Sequence, residues 1–585
     1  MSRAIATVCL SGTLEEKLHA ASAAGFDAVE LFENDLIGSP LRPGEVRRLA
    51  AELGLEIALY QPFRDFEAMP EPPFARAEAK FAVMEELGAE TILVCSNVSP
   101  AAIDDDALAA EQLHGLAERA AEHCLRIAYE ALAWGRHVNT FDHAWRIVEL
   151  ADHPALGTCL DSFHILSRGS DPAGIGAIPG EKIFFLQLAD APFMVMDVLQ
   201  WSRHYRCFPG QGGLDVAAVV RAARAAGYRG PLSLEVFNDV FRAADPERMA
   251  VDAMRSLLIL EDELPPPAAL DGYAFVELGL DSTCAPETEA TLEALGFTHT
   301  GQHRSKPVQL WEQGDARVVV NRGEAPGKPR VVALAFETPD PEAAVARAEA
   351  LQAPVLPERR RPDEAALRSI LAPDGTSVIF CRGWHHDFLA VASPAPGVLR
   401  AIDHLALSQP FDYFDEAALF YRSVLGLGSH ESQELAAPDG LIRSRAVGDA
   451  DRRVRLALNV PLVAGGTATE LQHIAFACDD ALAAAHRFAG AGVPLLRISD
   501  NYYDDLAART RLPDERIEAL REARVLYDAD ERGELLHFFT EVVGDRLFFE
   551  VLERRGGYDG YGAANSAVRL GAQRAHTTGR AAASR

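Results

Sequence analysis

The chain has 585 residues, a formal net charge of -30 and an ordinary globular balance of 48% hydrophobic and 24% charged residues. That length exceeds what one hydrophobic core serves, so several domains are expected, and the composition excludes wholesale disorder. The acidic balance excludes a nucleic-acid binder, and the absence of an apolar run of about twenty residues excludes a predicted membrane span.

The eight cysteines are scattered without CxxC spacing, so neither a zinc ribbon nor a disulfide framework is expected. The start, MSRAIATVCLSG, carries no long apolar core of a signal peptide, and the expected setting is a reducing cytoplasm.

From residue 4 to about 263, apolar strand-like runs alternate with helical patterns. IATVCL precedes TLEEKLHAASAAG, FDAVELF precedes LRPGEVRRLAAELG, LEIALYQPF precedes FARAEAKFAVMEELG, and AETILVCS precedes ALAAEQLHGLAERAAEHC. RIAYEAL, LGTCLDSF, IFFLQLAD and PLSLEVF complete the series, with the sixth helix expected around Ile175 to Glu181. Helices closing on Gly25, Gly54, Gly88 and Gly227 fit the left-handed stop that glycine tolerates. Eight strand–helix units over residues 1–263 predict an α/β fold, a (β/α)8 barrel. A doubly wound open sheet is the alternative, but no GxGxxG turn follows the first strand.

Pro265, Pro266 and Pro267 then break the pattern, and residues 264–272 read as a stiff linker. Beyond it lies a weak internal repeat of α+β modules. FVELGLD parallels IDHLALS, VVALAFETPDPEAAVARAEALQAPV parallels LQHIAFACDDALAAAHRFAGAGVPL, and SVIFC parallels LFFEV. Residues 273–390 and 398–565 are two copies of one module pair. Residues 566–585 lack an apolar period at their end and are expected to be a flexible basic tail.

Chemistry concentrates first at strand ends. Glu130, Asp161, Gln187 and Glu235 each close one of strands five to eight, where barrel active sites form. Three carboxylates and an amide oxygen are a hard ligand set, suited to Mg2+, Mn2+ or Co2+. His164, three residues beyond Asp161, is either a fifth ligand or a general base. Arg64 after strand three, and Arg203, His204, Arg206 and Phe208 in the loop after strand seven, are candidates to hold an anionic substrate. Glu30 and Glu33 after strand two are candidates to orient a substrate hydroxyl. Such a site suits proton abstraction beside a carbonyl, followed by isomerisation or by loss of a β-hydroxyl. Spacing alone does not choose between them.

A second constellation lies in the later module copy. His404 in AIDHLAL, His473 in LQHIAF and Glu550 in LFFEVLERRG form a two-His, one-carboxylate set, the arrangement of non-haem Fe(II) oxygenases. The corresponding positions of the first copy read as Glu277, Ala333 and Cys381.

The barrel motifs YQPFRDFE, YEALAWGRHVN, LDSFH, QLADAP, RHYRCFPGQG and LEVFND resemble the xylose-isomerase-like TIM barrels and, within them, the bacterial 3-dehydroshikimate dehydratases. The resemblance implies metal-dependent conversion of 3-dehydroshikimate to protocatechuate, with Glu130, Asp161, Gln187 and Glu235 as ligands and His164 as base. Ketose epimerases of this superfamily carry His where this chain has Gln187. A sugar isomerase or epimerase is therefore the lesser alternative.

The C-terminal half, with IDH, QHIAF, FFEVLERRG and GYDGYG, resembles the vicinal-oxygen-chelate fold and 4-hydroxyphenylpyruvate dioxygenase. That likeness implies a second divalent ion, Fe2+ or Mg2+, and an oxygenase with an accessory barrel as the other functional alternative. After Gly562 the chain reads AANSAVRLGAQ in place of that family's GNF continuation. A small-molecule substrate is expected, with neither a nucleic-acid nor a membrane partner. Assembly into a homo-oligomer stays open.

Overall fold

A computed structural model describes residues 1–323, 328–358, 360–430, 432–462, 471–544 and 546–583. The chain divides into two compact units, Met1–Leu264 and Pro265–Arg585.

In the first unit eight strands close into a barrel in sequence order. They are β1 (Arg3–Ala6), β2 (Ala28–Phe32), β3 (Glu56–Phe63), β4 (Thr91–Cys95), β5 (Arg126–Glu130), β6 (Leu156–Asp161), β7 (Ile183–Leu188) and β8 (Leu232–Leu234). Each pairs in parallel with the next, and β8 closes on β1 through Leu232 opposite Arg3. A barrel strand is covered on both faces, which is why TILVC and LGTCLD are apolar runs rather than alternations. The helix Phe74–Leu87 buries Ala77, Phe81, Met84 and Leu87, one stripe at helical spacing. Each such large apolar side chain contributes about 1.5–3 kcal/mol on burial. This helix stops at Gly88, whose φ of 72° is the left-handed conformation read from the sequence.

One barrel element differs from expectation. No full helix spans Ile175 to Glu181. Instead β6 runs straight into a short helix, Ser162–Ser167, followed by 3-10 turns at Pro172–Ala177 and Gly180–Lys182. Pro172, Gly174, Gly176 and Pro179 deny that stretch the amide donors and stiffness of a regular helix.

The second unit carries two mixed sheets with helices against them. The repeat is visible element by element. Strand Gly272–Gly279 answers to Leu399–Ser408, Arg330–Glu337 to Gln472–Cys478, and Ser377–Cys381 to Leu547–Gly556. Register corrects two of the three corresponding positions. His404 lies opposite Ala475 and Glu550 beside Ala475, whereas in the first copy Ala335 has Phe275 and Ile379 as partners. The positions matching His404, His473 and Glu550 are thus Phe275, Ala333 and Ile379, not Glu277 and Cys381 at the two ends. All three belong to one apolar cluster closed by Trp384, so hydrophobic packing fills in the first copy what polar side chains line in the second.

The expected flexible tail is a helix, Ser566–Ala583; residues 584–585 lie outside the described residues. Leu570 and Gln573 are buried on it. Among the described residues no helix is long and apolar enough to cross a membrane.

Candidate metal centres

The four strand-end residues are buried in the barrel, none more than 5% exposed. Donor atoms of Glu130, Asp161 and His164 lie within 4.8 Å of one another, Glu235 joins them through Arg206, and Gln187 is bonded to Glu30. Neighbouring strands set their spacing, since Asp161 pairs with Gln187 and Glu130 with Cys159 in the ladder. Asp161 serves two purposes at once. Its Oδ1 accepts the N–H groups of Phe163 (2.6 Å) and His164 (3.1 Å), capping the short helix, while Oδ2 faces inward. The capped helix in turn delivers His164, whose Nε2 lies 3.7 Å from both Glu130 Oε1 and Asp161 Oδ2.

Arg206 is the one guanidinium inside this group and is 1% exposed. Its Nη1 donates to Asp161 Oδ2 (2.8 Å), to Glu235 Oε2 (3.1 Å) and to the Glu235 carbonyl (3.1 Å). Ser202 Oγ accepts from Nε and Nη2, and Asn238 holds the Arg206 carbonyl at 2.8 Å. The loop that carries it is pinned by Asp190, which accepts the N–H groups of Ala191, Gly210, Gly212 and Leu214. Gly212 passes so close to Asp190 and the Ala191 carbonyl that no Cβ fits there. The sequence placed Arg206 among the candidates to hold an anionic substrate; the structure ties it to Asp161 and Glu235 instead. Phe208 is fully enclosed and stacked on Phe241 at 5.0 Å, so its ring packs the loop instead of facing substrate.

Electrostatics show what the cage lacks. Burial, then the Glu235 and Asp161 charges, pushes Glu130 well above the usual carboxylate range. Burial also raises Glu235, with Asp161 adding to it and Arg206 opposing. Asp161 stays low against the cost of burial because Arg206 and His164 stand beside it. Three carboxylates share one internal guanidinium in a dry site, and Glu130 Oε1 is buried without a hydrogen-bond partner. A divalent cation relieves this repulsion and satisfies the orphaned oxygen, so the donor set fits the hard ion inferred from sequence.

Glu30 forms a second layer beneath Gln187. Glu30 Oε2 accepts from Gln187 Nε2 (2.6 Å) and Gln61 Nε2 (2.9 Å), and Ser233 Oγ bonds Glu30 Oε1. Glu30 thus orients the Gln187 amide, and at 0% exposure it is too deep to meet a substrate hydroxyl, the role the sequence suggested for it. Glu33 is occupied as well, by Lys80 and by Tyr60 Oη at 3.5 Å.

Burial, with Arg206, Arg203 and Arg64 nearby, pushes His164 down to about 3 against the pull of Asp161, so the ring is neutral. Ala133 N–H donates to Nδ1 at 3.2 Å and Arg206 Nη2 lies 3.2 Å from Nε2. Two donors compete for the one lone pair of a neutral ring, and only the tautomer with its lone pair at Nε2 can take a proton from the cavity. Trp134 packs edge-on against the ring at 5.0 Å.

At the ends of β2 and β3 a cavity of ≈ 740 Å³ is lined by Glu33, Tyr60, Arg64, Arg76, Lys80 and Arg203 among others. Arg203 lies over Phe237 (4.9 Å) and Trp134 (5.7 Å). Its pKa is lowered by burial and then by Arg64, so these two guanidiniums repel across the cavity and favour an anion between them. Arg76 and Lys80 were missed by sequence reading. Their signal was the i, i+4 pair of cations on the helix that follows Arg64.

In the second unit His404, His473 and Glu550 converge from three strands. Their closest approaches are 3.2 Å between the two Nε2 atoms, 3.3 Å from His404 Nε2 and 3.1 Å from His473 Nε2 to Glu550 Oε2. Asp403 Oδ1 accepts from His404 Nδ1 at 2.8 Å and is itself gripped by Arg554 at 2.8 Å. Such a carboxylate behind an imidazole fixes its tautomer for metal binding. Glu550 is held well below the usual range by His404, His473 and His537, against the cost of burial. The same burial pushes His473 down to about 4, with Glu550 opposing.

Comparison with known proteins agrees with both halves. Residues 18–260 match the family described as xylose isomerase-like TIM barrel. Residues 265–382 match hydroxyphenylpyruvate dioxygenase, N-terminal, and 401–515 match the glyoxalase/bleomycin resistance protein/dioxygenase superfamily. A 3-dehydroshikimate dehydratase of Pseudomonas aeruginosa is 47% identical, and one of Pseudomonas putida 45%, each over 98% of both chains. A solved structure described as a xylose isomerase-like TIM barrel/4-hydroxyphenylpyruvate dioxygenase fusion protein superposes with a TM-score of 0.92 at 44% identity, covering 98% of this chain and 99% of that one.

Proposed function

We propose, from the premise that this chain belongs to the family of bacterial 3-dehydroshikimate dehydratases, that its barrel dehydrates 3-dehydroshikimate to protocatechuate with a divalent cation. The observation that carries this reading is the buried cage itself, three carboxylates around one guanidinium with Glu130 Oε1 unpartnered. Glu130, Asp161, Gln187 and Glu235 are its ligands, and Mg2+, Mn2+ or Co2+ suits their oxygens. When bound, the cation polarises the substrate carbonyl and steadies negative charge developing on its oxygen.

The chain's own residues do the rest. Arg64 and Arg203 hold the substrate carboxylate at the cavity mouth, with Glu33 anchoring Lys80 beside them. Arg206 fixes Asp161 and Glu235 and supplies positive charge next to the reacting oxygens. His164, neutral at working pH, takes the proton from the carbon between the carbonyl and the departing hydroxyl. The C–O bond to that hydroxyl then breaks, the hydroxyl leaves as water with the proton that His164 took, and tautomerisation of the dienone gives the aromatic diol. Phe208 serves as packing beneath the loop.

This assignment carries a place in quinate and aromatic catabolism and a cytoplasmic setting, which the eight unpaired cysteines support. In the second unit, His404, His473 and Glu550 hold a further divalent ion, Fe2+ or Mg2+. The test is direct. Protein loaded with Mg2+ or Mn2+ and given 3-dehydroshikimate develops the catechol absorbance, and absence of product from fully metallated protein contradicts the assignment.

A further inference from the structure

The second centre is walled differently from the barrel mouth. Its cavity is ≈ 50 Å³, against ≈ 740 Å³ for the cavity that Arg64 and Arg203 line in the barrel. Beside the His–His–Glu atoms it is lined by Gln433, Ser444, Asn459, Phe539, Tyr561 and Arg569. Pockets that enclose drug-sized molecules run to roughly 300–1,000 Å³. With the final helix docked, an aryl 2-oxo acid has no room here, while a few water-sized groups do.

Two hydrogen-bond donors at this cavity are poorly matched. The Tyr561 hydroxyl is buried without a partner, its ring edge-on to His404 at 5.3 Å. Arg569, on the final helix, lies over Phe539 (5.6 Å) and Phe548 (5.4 Å) and donates to Gln573 Oε1 at 2.9 Å. Among the described residues no carboxylate pairs with it, and burial pushes its guanidinium down to about 10, with Glu550 opposing. A desolvated guanidinium without a counter-ion is strongly unfavourable, and a buried unpaired hydroxyl costs about 1–3 kcal/mol. Two neutral imidazoles and one carboxylate around a divalent ion leave a net positive centre. Everything facing the cavity therefore asks for a small, acceptor-only anion.

We propose that the second centre binds, together with its divalent cation, a small carboxylate of acetate to pyruvate size, whose oxygens are met by Arg569 and Tyr561. The inference rests on the reading that His404, His473 and Glu550 hold a metal. It makes the final helix part of the binding site. Asn565, just before that helix, contacts His537 Nε2 at 2.9 Å, and His537 Nδ1 meets Glu550 Oε1 at 2.7 Å, so helix and ligand set are tied by hydrogen bonds.

The experiment uses the full-length protein loaded with Mn2+, its metal stoichiometry measured, and water-proton relaxation followed as acetate or pyruvate is titrated in. Two Mn2+ per chain are expected, with a saturable fall in relaxivity as the anion displaces bound water. The apparent Kd weakens about tenfold or more in Arg569→Gln and roughly threefold in Tyr561→Phe, as loss of a charged and a neutral hydrogen bond requires, and Arg569→Lys recovers part of it. The arylpyruvate 4-hydroxyphenylpyruvate is expected to bind more weakly than pyruvate. One Mn2+ per chain, unchanged by His473→Ala, overturns the metal reading and this inference with it. Two Mn2+ per chain with no anion response, a response untouched in both Arg569→Gln and Tyr561→Phe, or tighter binding of the arylpyruvate, overturns the anion site alone.

Discussion

The barrel cage and the second centre use related ligands under opposite electrostatic conditions. In the barrel, burial raises both Glu130 and Glu235, with the Glu235 and Asp161 charges adding at Glu130 and the Asp161 charge adding at Glu235, and one carboxylate oxygen has no partner. In the second unit, His404, His473 and His537 all contact Glu550 and hold it ionised. The first arrangement is frustrated until a cation enters; the second is largely self-neutralised. Frustration of this kind, in a barrel that also carries a cation-lined cavity at the ends of β2 and β3, is what a site for metal-assisted chemistry on an anion needs.

Breaking the frustrated site produces the largest effect. Glu130→Gln removes the unpartnered ligand oxygen's charge, and dehydration falls by about 10³-fold or more as polarisation of the carbonyl is lost. Metal analysis of the variant shows one equivalent fewer than the parent. His164→Ala lowers kcat by roughly 10²–10⁴-fold, the usual worth of a positioned base, while bound metal is unchanged. Loss of metal from that variant makes His164 a ligand instead.

Next in size is the layer beneath. Glu30→Gln replaces an acceptor with a group that also donates, so Gln187 loses its fixed amide orientation, and metal affinity falls about 10–100-fold, read by titration. Arg203→Ala raises KM for the substrate by about 10–100-fold with a smaller change in kcat, since it removes one charged hydrogen bond to a non-reacting group.

The pH dependence separates the two centres most finely. In the barrel, protons compete with the cation at Glu130 and Glu235, whose pKa values are raised, so metal affinity falls as pH drops through that raised range. The fall approaches tenfold per pH unit for each proton displaced. In the second unit His404 is raised by Glu550 and Asp403 against the cost of burial. In the metal-free protein its ion pair contributes stability that is present at low pH and is lost as pH rises through the raised value. Thermal unfolding of metal-free protein across pH 6–9 checks the sign, and His404→Gln abolishes the slope.

Much of this was legible in the sequence, for identifiable reasons. Barrel strands announce themselves because both faces are buried, and TILVC or IFFLQL leaves little else to fold into. Strand-end positions are legible because the end of a barrel strand has a fixed address, so placing Glu130 and Asp161 side by side needed no loop geometry. Loop residues have no such address. Arg206 read as a substrate-holding loop residue because nothing local reveals that Asp190, sixteen residues and a bridge away, folds its loop inward. Glu30 read as a rim residue because depth within the barrel is set by strand tilt, which a single strand does not carry. The final helix was illegible because SAVRLGAQRAH has little apolar period of its own; it is fixed by Leu570 and by the rings of Phe539 and Phe548 under Arg569. In the repeat, bulges beside His404 and Ala333 shift the register, so motif alignment pointed at Glu277 where the ladder places Phe275.

The central claim is that a cation in the Glu130 cage drives the dehydration. It is tested most directly by stripping the protein of metal, titrating Mn2+ back, and following protocatechuate formation from 3-dehydroshikimate at each step. The account predicts negligible rate in stripped protein, recovery that tracks filling of the site lost in Glu130→Gln, and no recovery in that variant. Full turnover by stripped protein, or recovery that is equal in Glu130→Gln, contradicts it.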